Sequence, residues 1–410
     1  MTKLPGMYKV YDTAAPLAHF AKNGFYAVGE HAFSAKLTAV QYASRTNEPI
    51  KWNFLDNAYM SMNWRTPLRT PLRELYRIRA QQLRDKYDYL ILFYSGGGDS
   101  HNVLQSFIKN NIKLDEIIVT WPITQSQGKY TPSTDVTPTN FISEWDFSLK
   151  PKLDWIKANC PDIKITIVDI MTNLADEDSE DTMIIQPKYS YAAIRRIRDQ
   201  DKILKQRYEQ HPNLAVITGT GPPDLVTIKK QWLALQFNDE MINSVTKSDY
   251  LSDGWIRNIE FFYCTPDFPE ILREQSHVIL DYLNVNPTAI DFFESHELGG
   301  KQPLLKTFNG IPAREQQRRF IKSLIYPDWD AKTFQTIKGD DFYNKSEMFH
   351  WFYKNPESEN YLHAWRSNVQ SQLAIITPRL LTLAASGVKR MVSFYSQHYI
   401  IGKLTKNETI

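Results

Sequence analysis

Four runs of apolar residues, separated by amphipathic segments, organise the middle of the chain. The runs are "YLILFY", "DEIIVTWP", "IKITIVDI" and "NLAVITGTG", which start at residues 89, 115, 163 and 213. Their apolar residues are continuous rather than alternating, which is typical of strands covered on both faces. Helical patterns lie between the runs at residues 100–110, 143–159 and 189–210. This alternation predicts an α/β fold with a doubly wound, mainly parallel sheet.

The flanking segments have a different pattern. In "RTPLRELYRIRAQQLRDKY" the residues Leu72, Leu75, Ile78 and Leu83 recur at helical spacing, and we interpret the arginines and lysines between them as a solvated face. Beyond residue 230, helices are predicted in "FPEILREQSHVILDYLN", "REQQRRFIKSLI" and "SQLAIITPRLLTLAAS". We therefore expect an N-terminal extension over residues 1–86, an α/β domain over 87–230 and a mostly helical C-terminal region over 231–410. Residues 124–140, rich in Ser, Thr and Pro, predict a long loop of the kind that covers binding sites.

The composition is that of a globular protein, with 42% hydrophobic and 23% charged residues. A net charge of +2 gives no positive support for a nucleic-acid binder, although it leaves a local basic patch open. The two cysteines, Cys160 and Cys264, form no CxxC pair, so neither a disulfide framework nor a cysteine zinc site is expected. No run of 18 apolar residues and no signal-like apolar segment is found, so we expect a cytoplasmic protein without membrane contact.

Candidate chemistry is concentrated in "SGGGDS", which places three of the chain's 16 glycines between the first apolar run and the next helix. In a parallel sheet this junction lies at the carboxyl edge, where ligands usually bind. A helix N-terminus there offers unpaired N–H groups and partial positive charge, and glycine lets the backbone approach an anion closely. The hydroxyls of Ser95 and Ser100 add hydrogen-bond donors. The turn is therefore predicted to hold a phosphate group.

The spacing distinguishes this turn from two widespread phosphate motifs. GxxxxGK[ST] is absent because no Lys-Ser/Thr pair follows, and GxGxxG is not met because Asp99 and His101 stand where glycines would be needed. Residues 95–100 instead resemble the SGGxDS signature of the PP-loop ATP pyrophosphatase superfamily, which includes the asparagine, GMP and NAD synthetases. The resemblance covers roughly residues 87–225 and is nearest to the synthetase domain of asparagine synthetases. It implies a PP-loop (HUP-like) fold and cleavage of ATP between its α and β phosphates.

The resemblance also implies roles for individual residues. The leaving pyrophosphate would be bound by Ser95, Gly96, Gly97, Gly98 and Ser100, of which Gly98 fills the variable position of the motif. Asp99 would hold Mg²⁺ directly or through water, so ATP and Mg²⁺ are the expected cofactors. The backbone of Val119 and Thr120, at the end of the second run, would contact adenine. His101 follows the motif on the first turn of the helix. From this position its side chain could face the phosphate, cap the helix or face solvent.

A second glycine turn, "ITGTGPPDLV", follows the fourth run. Asparagine synthetases carry a glycine-rich turn ending in Asp-Glu at a comparable place, whereas here two prolines intervene and Leu225 replaces the glutamate. The candidate residues for contacts with nucleotide, metal and pyrophosphate are Gly219, Gly221, Asp224, Lys229 and Lys230. The alternatives are that Asp224 caps a following helix and that the two lysines are simply exposed.

The acceptor of the AMP group is left open by the sequence. A small-molecule carboxylate, followed by attack of an amine or ammonia, is the leading hypothesis. A glutaminase activity is not expected, since the second residue is Thr2 and neither cysteine lies within residues 1–94, so a partner protein could supply ammonia. A tRNA or DNA nucleobase is an alternative acceptor, for which Arg195–Arg198 and Arg314–Lys322 would contact phosphates. A nucleotide-binding protein without catalytic turnover is the third hypothesis.

Overall fold

The computed structural model describes residues 9–10, 24–33, 39, 42–43, 45–54, 56–121, 149–169, 198–220, 224–229, 231–237, 258–290, 321–329 and 396–405. The predicted loop over residues 124–140 and the predicted helix over residues 371–386 lie outside these ranges. All statements below concern the described residues.

A small sheet and a long helix precede the first apolar run. The sheet has the order β1-β3-β2-β4 and consists of β1 (Lys9–Val10), β2 (Phe25–Val28), β3 (His31–Phe33) and β4 (Ile50–Asn53). It is followed by α1 (Asp56–Met60) and α2 (Leu72–Lys86). The helix α2 confirms the prediction made from its apolar spacing, because Leu72, Leu75 and Leu83 are buried.

One member of the supposed solvated face of α2 is buried instead. The side chain of Arg79 is only 2% exposed, and its Nη2 atom donates to Glu260 Oε2 and to the Phe261 carbonyl oxygen, both at 3.0 Å. Glu260 is fully buried and also accepts from the Tyr87 hydroxyl. The interpretation of Arg79 as solvated was therefore wrong. Its side chain can be buried because it pairs with the buried carboxylate of Glu260.

The central sheet contains five parallel strands. The chain forms in order β5 (Tyr89–Phe93), α3 (Gly98–Ile108), β6 (Glu116–Trp121), α4 (Lys150–Asn159), β7 (Lys164–Asp169), α5 (Arg198–Gln210) and β8 (Leu214–Thr218). These elements confirm the four strands and three helices predicted from the apolar runs. Three further strands follow, β9 (Asp224–Ile228), β10 (Trp232–Gln236) and β11 (Ile259–Phe261), and β11 completes the central sheet in the order β11-β8-β5-β6-β7.

Helices cover both faces of the central sheet. Leu90 and Leu92 of β5 belong to the main core with α2, α3 and α4, whereas Ile91 points to the other face and packs in a second cluster with Leu204 of α5. Adjacent residues of one strand thus enter opposite cores, which explains the continuous apolar runs. The predicted α/β fold with a parallel sheet is confirmed.

Strands continue beyond residue 230. The helix α6 (Glu270–Val285) confirms a predicted helix, and residues 321–325 are helical within another. The strand β12 (Tyr399–Lys403) pairs with β10, which also pairs with β9, and both pairings are antiparallel. The described part of residues 231–410 therefore contains strands as well as helices, and β11 belongs to the central sheet.

Candidate functional site

Two loops meet where the strand order of the central sheet reverses. From β5 the sheet continues through β6 and β7 on one side and through β8 and β11 on the other. An open parallel sheet has its ligand crevice at such a reversal, beyond the carboxyl ends of the two central strands. The SGGGDS turn follows β5, and Gly219 follows β8. A Cβ atom on Gly219 would lie 2.8 Å from Ser100 Cα, so the two turns are in contact.

Hydroxyl and amide groups converge within the first turn. The Oγ atoms of Ser95 and Ser100 are 3.2 Å apart, and Ser100 Oγ also accepts from the Ser95 N–H at 3.2 Å. Gly96 has a φ of +72°, which only glycine adopts without strain, and the helix α3 begins two residues later. The turn therefore places two hydroxyls beside a helix N-terminus, as a phosphate site requires.

Asp99 is held by residues that the sequence analysis did not connect with it. Its Oδ2 atom accepts from Lys322 Nζ at 2.8 Å, and its Oδ1 atom accepts from the Tyr326 hydroxyl at 2.6 Å. The Tyr263 hydroxyl donates to the Asp99 carbonyl oxygen at 2.9 Å. Burial, and next the charge of Asp99, raise the pKa of Tyr326, so its phenol stays protonated and donates.

Residues 321–329 lie against the turn through further contacts. A Cβ atom on Gly98 would come within 2.4 Å of the Trp329 ring, so the absence of a side chain at Gly98 leaves room for this ring. Asp328 pairs with Lys109 at 2.6 Å and with Arg73 at 3.4 Å. Segment 321–329 is thereby fixed to both α2 and α3 beside the candidate site.

His101 faces the protein rather than an open anion site. Its Nδ1 atom lies 2.9 Å from the Tyr94 hydroxyl, and its Nε2 atom lies 3.3 Å from Gln105 Nε2. Burial, and next the nearby charges of Lys152 and Lys109, lower the pKa of His101 to about 3. At neutral pH the imidazole is uncharged, so His101 does not provide a cation for phosphate.

The strand β6 extends past the end of β5 along the first turn. Its pairing with β5 stops at Ile118, whose carbonyl oxygen accepts from the Tyr94 N–H at 2.9 Å, whereas its pairing with β7 runs on to Trp121. The side chain of Val119 is buried in the core, and Thr120 is partly exposed. The predicted backbone contact of these two residues with adenine stays a prediction.

The second turn differs from its expected form. Asp224 begins β9 rather than a helix, so the helix-cap alternative was wrong. Lys229 is exposed in the turn that joins β9 to β10 and has a φ of +49°. Because a strand rises about 3.3 Å per residue, Lys229 lies about 16 Å along the chain from Asp224. The expectation that Lys229 lies within reach of the glycine turn stays a prediction.

Several candidates fall outside the described residues. Gly221, Lys230, residues 195–197 and residues 314–320 belong to this group, and so does the side chain of Asp224. Two described hydroxyls that were not predicted, those of Thr218 and Thr220, lie beside the second turn with their Oγ1 atoms 2.9 Å apart. Two threonines flanking a glycine at the end of a strand were the signal that could have identified them.

Asp99 is the described carboxylate at the glycine turn that could hold a divalent metal ion. Among the described residues no group of three or more His, Cys, Asp or Glu side chains could enclose a metal ion. Mg²⁺ in nucleotide sites commonly uses one or two carboxylates and completes its shell with phosphate oxygens and water. The position of Asp99 at the glycine turn fits this mode, provided that Lys322 gives up its hydrogen bond.

No family model and no curated protein matches the chain. In the part of the chain described above, no helix combines the length and the apolar character needed to cross a membrane.

Proposed function

We propose that the chain binds Mg-ATP at the SGGGDS turn and cleaves it to AMP and pyrophosphate, transferring AMP to an acceptor carboxylate. The observation that carries the proposal is the contact between the two glycine turns, at Gly219 and Ser100, beside the reversal in strand order. This is the crevice in which parallel sheets bind nucleotides. The resemblance of Ser95–Ser100 to the PP-loop signature supports cleavage at the α–β bond and a PP-loop fold.

The chemistry needs a site that stabilises negative charge on the departing pyrophosphate. The N-terminus of α3 and the hydroxyls of Ser95 and Ser100 are suited to bind its oxygens. Bound Mg²⁺ would neutralise part of this charge, and Asp99 is the residue placed to hold it. Lys322, which pairs with Asp99 at 2.8 Å, brings a positive charge close to this turn.

One observation favours a second candidate function, nucleotide binding without turnover. The carboxylate of Asp99 is already neutralised by Lys322 and bonded to Tyr326, an arrangement that competes with a metal ion. Modification of a nucleobase has less support. Of the two basic stretches that were predicted to contact phosphates, the described part includes Lys322, which is engaged with Asp99 instead.

ATP labelled at either the α or the γ phosphate distinguishes these functions. Incubation with Mg²⁺ and pooled amino acids is expected to give labelled AMP from the first substrate and labelled pyrophosphate from the second. Asp99→Asn should abolish both products, while Asp162→Asn, at an exposed aspartate, should release both at the wild-type rate. Release of inorganic phosphate would contradict the proposed cleavage. If ATP binds but neither product forms in the presence of amino acids, RNA or DNA, the second candidate, nucleotide binding without turnover, is established.

A further inference from the structure

A buried lysine lies behind the glycine turn. Lys152 on α4 is only 6% exposed, and its Nζ atom donates to the Gly96 carbonyl oxygen at 2.7 Å. Removing an ammonium group from water is costly unless strong hydrogen bonds compensate it. A lysine in this position therefore calls for an explanation, and no role for it is evident from its place in the sequence.

The contact fixes the direction of one peptide group. The described residues contain no cis peptide bond, and in a trans peptide the C=O and N–H groups point in opposite directions. The Gly96 carbonyl points to Lys152, so the N–H of Gly97 points away from it. That N–H lies 3.3 Å from Ser95 Oγ, on the exposed side of the turn where the two serine hydroxyls meet.

Glycine on both sides leaves the peptide between Gly96 and Gly97 with little steric barrier to rotation. Neither residue has a Cβ atom, and Gly96 already has a φ of +72°. Rotation of this peptide by half a turn would direct the Gly96 carbonyl oxygen toward the exposed side. An anion bound there would then meet an acceptor instead of a donor, which is unfavourable.

We propose that Lys152 is a positioning residue, which holds the Gly96–Gly97 peptide so that the Gly97 N–H faces the bound pyrophosphate. This inference rests on the proposed function, since it assumes that pyrophosphate occupies the turn. A hydrogen bond from an ammonium to a carbonyl is charge-assisted and favours one peptide orientation over the other. On binding, the Gly97 N–H exchanges its long contact with Ser95 Oγ for a phosphate oxygen.

The test uses the full chain, inorganic pyrophosphate as ligand, calorimetry for the affinity, and amide NMR of Gly97 for the orientation. Lys152→Met should weaken pyrophosphate binding by about tenfold to a hundredfold, the usual effect of losing a charge-assisted hydrogen bond. It should also abolish the change in the Gly97 amide proton shift that pyrophosphate causes in the wild type. The matched control is Lys150→Met, because Lys150 is exposed on the same helix and pairs with Asp154.

Lys152→Gln separates peptide orientation from charge. The glutamine amide retains a donor for the Gly96 carbonyl without the positive charge, so binding and the Gly97 shift should recover in part. The inference is overturned if Lys152→Gln binds pyrophosphate as weakly as Lys152→Met and both variants regain the wild-type affinity at high salt. The charge of Lys152 alone would then explain its effect on binding. The glutamine variant also decides the outcome should the methionine variant fail to fold by circular dichroism.

The remaining outcomes separate this inference from the proposed function. If Lys152→Met binds pyrophosphate as the wild type does, with the same Gly97 shift, then Lys152 has no positioning role and the pyrophosphate site stands. If the wild type binds neither pyrophosphate nor Mg-ATP, the proposed function is wrong and the inference falls with it.

Discussion

Lys322 and Asp99 are 223 residues apart in the chain, yet the lysine Nζ lies 2.8 Å from the aspartate Oδ2. Both side chains are about one-quarter exposed, with 22% for Lys322 and 25% for Asp99, so solvent screens the pair only in part. The ion pair joins the start of α3 to segment 321–329. Any cation that binds Asp99 must therefore compete with an ammonium that is already present.

Removing this ammonium should strengthen metal binding in the presence of ATP. We expect Lys322→Met to lower the Mg²⁺ concentration at half-maximal pyrophosphate release by about tenfold, because no ammonium then competes with Mg²⁺ for the carboxylate of Asp99. The measurement is a Mg²⁺ titration at saturating ATP. Lys109→Met is the matched control, since Lys109 pairs with Asp328 on the same segment but not with Asp99. An unchanged or higher Mg²⁺ requirement for Lys322→Met would argue against metal binding by Asp99.

A methyl group at Gly98 should disturb the contact between the turn and segment 321–329. The Cβ atom would lie 2.4 Å from the Trp329 ring, so the indole must move, and we expect Gly98→Ala to lower the free energy of unfolding by about 1–3 kcal/mol. Denaturant unfolding and Trp fluorescence measure the effect. Gly97→Ala is the control, because its nearest contact is Ser95 Oγ at 3.3 Å. Adding Trp329→Leu to Gly98→Ala should restore part of the loss, and no restoration would show that the clash lies elsewhere.

The part of the fold that sequence predicts best is the central sheet. Strands β5 to β8 are continuous apolar runs because both of their faces are covered. The helices α3 to α5 alternate with these strands along the sequence. The strand β11 was missed, since three residues, Ile259–Phe261, are too few to show a period. The place of these residues beside β8 depends on long-range packing.

The candidate site shows the same division between local and distant information. The SGGGDS turn could be predicted because a strand, three glycines and a helix start are consecutive in the sequence. The partners of Asp99 could not, because Lys322 and Tyr326 follow it by more than two hundred residues. Lys152 and Arg79 were overlooked for a related reason: on a helix, a buried basic residue has no sequence signal that separates it from a solvated one.

The ion pair of Arg79 and Glu260 should be essential for stability although no catalytic role is assigned to it. Arg79→Met leaves a fully buried carboxylate without this partner, so we expect the free energy of unfolding to fall by about 3–5 kcal/mol. Denaturant unfolding measures the change. Arg77→Met on the same helix is the control, because Arg77 and Glu74 form an exposed pair and the variant should unfold like the wild type.

The double variant Arg79→Met with Glu260→Leu checks the reason for this loss. Replacing both charges by apolar side chains removes the buried carboxylate, which in Arg79→Met keeps only Tyr87 and the partly exposed Lys86 as partners, so most of the stability should return. A double variant that is as unstable as Arg79→Met alone would show that packing, rather than the buried charge, causes the loss.

The lowered pKa of His101 should make stability depend on pH. In the unfolded chain a histidine titrates near pH 6.5, whereas burial holds the pKa of His101 at about 3 in the folded protein. Above pH 6.5 both states are neutral and the residue has no effect. Below pH 6.5 the unfolded chain binds a proton that the folded chain excludes, so stability falls toward pH 3, by at most about 1.4 kcal/mol per pH unit.

His101→Gln should flatten this slope between pH 6 and pH 4, because glutamine does not titrate while its amide can still bond to Tyr94. Unfolding curves at several pH values, taken as the difference between wild type and variant, isolate this contribution from that of the carboxylates. Histidine NMR provides an independent measure: Lys152→Met should raise the pKa of His101, since it removes a nearby positive charge. A His101 resonance that titrates near pH 6.5 in the wild type would mean that the imidazole is solvated, and its packing against Tyr94 would then be wrong.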